Sequence, residues 1–158
     1  KTEPGVDFNS FNTWSWVPLQ AGAQFDPRID NPQFKSMIGD AVEREMYTRG
    51  YRRGELQEQP DLLVNVHAAI NKIDAEYINE HYDGEYYPEY RMEIDGKPLA
   101  KEWNEGSVIV ILFDSKTMQA VWGGGVATEA FEDLPEDAVR QRIDKGIKKI
   151  METLPKRQ

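Results

Sequence analysis

The sequence predicts an α+β fold, a mostly antiparallel sheet of four to five strands with two amphipathic helices packed on one face. Three observations carry this reading. Ser107–Ala127 reads as a buried strand, a short polar break and a returning strand with Trp122 beside three glycines. The segments Phe34–Met46 and Val139–Leu154 repeat apolar residues at helical spacing. Asp61–Ile73 alternates with period two, the mark of a half-buried strand.

Residues 1–7 are polar, contain Pro4-Gly5, and read as a tether before one domain spanning 8–158. Trp14 and Trp16 share a parity, which suits a strand over Asn12–Val17 that Pro18 ends. Asn31-Pro32 is a helix start, because proline at the first helical position forfeits no hydrogen bond. Gly50 closes this first helix. Tyr51–Gln59 then predicts a short extended piece with a turn at Gly54. In the next strand Leu62, Val64, Val66, Ala68 and Ile70 share a buried face, leaving Leu63, Asn65 and His67 on a face expected to be wet.

Asp74–Gly106 breaks the rhythm and reads as an acidic, tyrosine-rich insertion. A strand is expected near Tyr86–Ile94, followed by an Asp95-Gly96 turn. Val108–Phe113 is wholly apolar and predicts an interior strand; Met118–Thr128 returns beside it. Glycines weaken a strand unless something packs over the bare backbone or a bulge is needed, and Trp122 or an aromatic of the first strand is the natural cover. Asp133–Glu136 resembles a capping box for the final helix. Its Gly146 is expected to mark a close approach to the sheet, and Pro155 ends the stripe.

A chain of 158 residues without cysteine can bury a core but offers no thiolate, disulfide or zinc–thiolate chemistry. Its longest apolar run, Val108–Phe113, is six residues, too short to span a bilayer. No export signal is visible, so any such signal is expected to have been removed. Ten acids against three bases in Asp74–Glu105 give that stretch −7 of the total −9. Such a field disfavours nucleic acid and anionic headgroups on that face.

Five segments in order carry a family resemblance: VDFNSFNTWSWVP, EMYTRGYRR, QPDLLVNVHAAI, GSVIVILFDSKTMQAVWGGGVA and the final helix ending near a proline. With these the chain resembles the bacterial lipoprotein-like family catalogued as domain of unknown function 4136. The resemblance implies an envelope protein on the periplasmic side, held by a lipidated cysteine that would lie upstream of Lys1. It implies no agreed activity, catalytic residue or cofactor. The acidic insertion departs from the family's usual shorter link.

No catalytic constellation is predicted. His67 and His81 have no metal-ligand spacing and read as polar surface residues. Asp83 and Glu85 are candidate calcium ligands, but without EF-hand spacing a solvated acidic loop is preferred. Ten acids in one loop make some carboxylate pair inevitable, so a glycosidase reading has little force. Ser107 and Ser115 lack a nucleophile elbow and read as turn residues, while Gly123–Gly125 lacks the Lys-Ser/Thr of a phosphate loop. Tyr82, Tyr86, Tyr87, Tyr90 and Trp103 read either as a recognition surface for a saccharide or protein or as cover for the sheet's second face. The expectation is therefore a non-catalytic envelope domain, without cofactor, that binds or scaffolds another envelope component. The alternative is small-ligand or carbohydrate binding through the tyrosines.

Overall fold

The computed structural model describes residues 1–18, 32–69, 73–74, 93–94, 97–98, 102–103, 107–127 and 135–158. The chain lays down β1 (Thr13–Trp16), crosses in helix α1 (Pro32–Thr48), and returns in β2 (Arg52–Arg53) and β3 (Leu62–Ala69). Both returning strands are parallel to β1 and flank it. After short strands β4 (Ile73–Asp74), β5 (Glu93–Ile94), β6 (Lys97–Pro98) and β7 (Glu102–Trp103) come β8 (Ser107–Asp114), β9 (Ala120–Ala127) and helix α2 (Glu136–Met151). The sheet order is β2-β1-β3-β8-β9, with antiparallel pairing from β3 through β9. The predicted fold class is the one observed, a mixed, mostly antiparallel sheet with two helices packed together.

Local chemistry explains the helix ends. Pro32 opens α1 at the position where its missing N–H costs nothing. At the other end Gly50 takes a φ of 92°, which an L side chain resists. This lets the Gly50 N–H reach the Tyr47 carbonyl and the Tyr51 N–H the Met46 carbonyl, both at 3.0 Å. The N-cap of α2 is Pro135, and Asp133 of the expected capping box lies outside the described residues. Glu136 and Asp137 still place negative charge at its positive end.

The helices bury one stripe each against one face of the sheet. Ile38, Ala41, Val42 and Met46 of α1 join Val139, Ile143, Ile147 and Ile150 of α2 in a core with the even-numbered residues of β3 and β8. β8 is interior, with β3 on one side and β9 on the other. The glycines of β9 are explained by what covers them. A Cβ at Gly124 would lie 2.9 Å from Ile150 Cγ2 and 3.1 Å from the Trp122 ring, so α2 and the tryptophan both rest on bare backbone. Gly146 is less constrained than expected, since a Cβ there would meet Val126 Cγ1 at an ordinary 3.8 Å.

The two chain ends are tied into this body. Glu3 N–H donates to Val121 O at 2.8 Å and Gly123 N–H donates to Lys1 O at 2.9 Å, laying the first residues along the outer edge of β9. Beyond α2, Arg49 Nη1 donates to Leu154 O at 2.8 Å and Tyr51 Oη to Pro155 O at 2.6 Å, pinning the last residues to the end of α1.

One expectation is overturned. The second face of β3 is not wet: Leu63, Asn65 and His67 are buried, as are Ile109, Ile111 and Phe113 opposite them on β8. His67 is only 1% exposed and is no surface residue. Ser107, expected in a turn, is a buried member of β8. Around the predicted Asp95-Gly96 turn, β5 and β6 pair antiparallel with Ile94 opposite Lys97. Trp103 lies in β7, paired with Ile73 of β4.

Candidate functional site

Two concavities are lined by described side chains of α1 and the elements beside it. Between α1 and the ends of β1 and β3 lies a cleft of about 430 Å³, within the range that holds small ligands. Its floor is Trp16, Val17, Val64, Asn65 and Val66, apolar but for Asn65. Its helical wall carries Lys35, Ser36, Gly39, Asp40 and Glu43, recurring at the three- and four-residue steps that put residues on one helix face. Gly39 leaves this wall bare opposite Trp16, whose ring lies 3.7 Å from where a Cβ would stand. Trp16 is itself held edge-on against buried Trp14, ring centroids 5.1 Å apart at 87°.

Asp40 and Glu43 also belong to a second groove, about 580 Å³, which continues over α1 to Arg44, Tyr47, Thr48 and Arg140. Tyr47 is 83% exposed, a large ring held out in water. The charges along this strip are paired. Glu43 bonds Arg53, whose guanidinium lies 5.8 Å over the Trp14 ring; Arg44 meets Asp144 at 2.5 Å; Arg140 meets Glu136 at 3.6 Å. Exposed pairs of this kind contribute little to stability but hold planar groups in place.

Two buried polar groups, Asn65 and His67, are bonded to each other, and Asn65 also lines the first cleft. Asn65 Oδ1 accepts the Val66 N–H at 3.0 Å, which fixes the amide's orientation. Its Nδ2 therefore faces His67 Nε2 as a donor, 3.0 Å away. His67 lines neither concavity. Tyr51 is also buried, and burial pushes its phenol up from 10.0 to about 12, with Arg157 and Arg49 pulling it back in part. Among the described residues no three His, Asp or Glu side chains are grouped to hold a metal ion.

Tyr82, Asp83, Glu85, Tyr86, Tyr87 and Tyr90 lie outside the described residues, as do His81 and the side chain of Trp103. The sequence reading missed the α1 strip altogether. Its signal was present in Ser36 and Gly39, small residues one turn apart in a helix otherwise rich in long side chains.

Comparison with known proteins bears on this geometry. The sequence profile of a domain of unknown function, DUF4136, matches residues 1–156. The chain belongs to the DUF4136 family. Among solved structures, a DUF4136 family protein from Bacteroides thetaiotaomicron superposes with a TM-score of 0.56 at 14% identity, covering 94% of this chain and 92% of that one. A PDZ domain protein from Parabacteroides distasonis gives the same TM-score at 16% identity; the match covers all of this chain but only 35% of that protein. At these identities the likeness is one of fold. None of the curated proteins matches the chain by sequence. DUF4136 membership indicates no function, and among the described residues no helix is long and apolar enough to cross a membrane.

Proposed function

We propose that this DUF4136 chain is a non-catalytic domain of the bacterial cell envelope, on the periplasmic side, that binds or scaffolds another envelope component. The envelope setting, with a lipid anchor upstream of Lys1, rests on the resemblance to lipoprotein-like relatives. One observation carries the binding reading: at the concavities Glu43, Arg44 and Arg140 are surface side chains held in ion pairs, whereas His67 is buried and lines neither. General acid–base chemistry needs a titrating group within reach of a substrate. His67, buried and donor-locked by Asn65, is not so placed; Asp40 and Glu43 stand on open helix surface.

The test is fractionation of cells making the full-length protein, combined with cross-linking from a photoreactive residue substituted at Tyr47. The reading expects recovery in the envelope fraction and a discrete cross-linked adduct. Recovery in the cytosol overturns the localisation, and absence of any adduct from this side of α1 overturns the binding surface.

A further inference from the structure

We infer that the strip along α1 from Trp16 to Tyr47 binds an uncharged, hydroxyl-rich oligosaccharide. This rests on the binding reading above and names the ligand class.

Three features select that chemistry. First, the strip is balanced in charge. Lys35, Arg44 and Arg140 line it against Asp40 and Glu43, and the flanking partners Arg53, Asp144 and Glu136, each paired with a lining residue, bring the set to neutrality. A site so balanced offers no net charge for an ionic ligand to neutralise. It does offer carboxylate lone pairs and guanidinium N–H groups in fixed orientations. Adjacent sugar hydroxyls, each both donor and acceptor, match such planar groups.

Second, an aromatic ring stands at each end, Trp16 braced edge-on by Trp14 and Tyr47 free in water. A pyranose has an apolar C–H face that packs on a ring while its hydroxyls remain at the edge. The concavities reproduce that division, with an apolar floor of Trp16, Val64 and Val66 and a polar rim on α1. Third, Ser36 and Tyr47 stand eleven positions apart on one helix, ~16 Å along its axis, which exceeds a single sugar ring and suits a linear chain. An extended peptide is disfavoured, because the strip is a helix surface whose backbone groups are spent within the helix.

Titration calorimetry of the whole domain with chitotetraose tests this. The expected result is saturable binding, weaker for the free monosaccharide. Tyr47→Ala should weaken it about 3- to 10-fold. Gly39→Met, which fills the cleft beside Trp16, should weaken it at least as much. Tyr47 is exposed, so its variant keeps the fold and the test survives even if Gly39→Met does not fold. Absence of saturation by ~10 mM tetrasaccharide overturns the inference, as does binding unchanged in Tyr47→Ala, or capture of an extended peptide on this strip without saccharide binding. An intact envelope adduct from Tyr47 alongside such a failure would leave the binding reading standing and remove only the ligand class.

Discussion

The contact between Gly124 and Ile150 sets how closely α2 lies on the sheet, and it permits a quantitative test. A methyl group added at Gly124 would stand 2.9 Å from Ile150 Cγ2 and 3.1 Å from two atoms of the Trp122 ring, closer than carbon atoms pack. Gly124→Ala must therefore move α2 or the indole. Overpacking of this kind costs about 1–3 kcal/mol, against which the stiffer unfolded chain returns about 0.4–1 kcal/mol. The net expectation is a loss of ~1–2 kcal/mol. Ile150→Ala alone leaves a cavity and should cost about 2–5 kcal/mol. Combined, the new methyl enters space the lost side chain vacated, so the double variant should be more stable than the sum by ~1.5–3 kcal/mol. Urea unfolding of the four proteins, followed by Trp fluorescence, gives the cycle. Additivity within ~0.5 kcal/mol would refute the claim that the two residues share one packed contact.

Three further outcomes follow from named contacts. Gly146→Ala should stabilise by up to ~1 kcal/mol, because its Cβ would meet Val126 at an ordinary 3.8 Å; a lowered melting temperature contradicts this. Tyr51→Phe should cost about 1–2 kcal/mol by leaving Pro155 O without its donor. The same phenol sets an alkaline limit. Its pKa is raised from 10.0 to about 12 on folding, so its contribution is complete below pH 10 and is lost as pH rises from 10 towards 12. The urea midpoint of the parent should fall over that interval, and that part of the fall should vanish in Tyr51→Phe. Finally, Tyr47→Ala should leave the urea midpoint within ~0.5 kcal/mol of the parent, since the ring is exposed; a larger loss would make Tyr47 part of the packing rather than a surface for a ligand.

The elements that were legible in the sequence are those whose signals are local. Pro32 and Gly50 bound α1, the Val139–Leu154 stripe marks α2, and Trp122 covers the glycine it was expected to cover. The burial of both faces of β3 was misread because Asn65 and His67 are polar and suggested a wet side. The correction was available in β8. Residues directly opposite on an antiparallel pair share a face, and β8 is apolar on both. Once β8 pairs with β3, His67 lies opposite Ile109 and must be dry. Pairing order itself is not a local property, which is why the parallel placement of β1 between β2 and β3 was not foreseen. The α1 strip escaped notice for the same reason, its floor and wall coming from segments far apart in the chain.

The proposed recognition surface is the strip along α1 with the ends of β1 and β3 beside it, while buried His67 serves the fold. An amide NMR titration of the intact domain with chitotetraose measures this most directly. Perturbed signals should gather in residues 13–17, 35–48 and 64–66, with His67 unmoved. Shifts confined to the β8–β9 turn at Ser115–Thr117, or centred on His67, would contradict it.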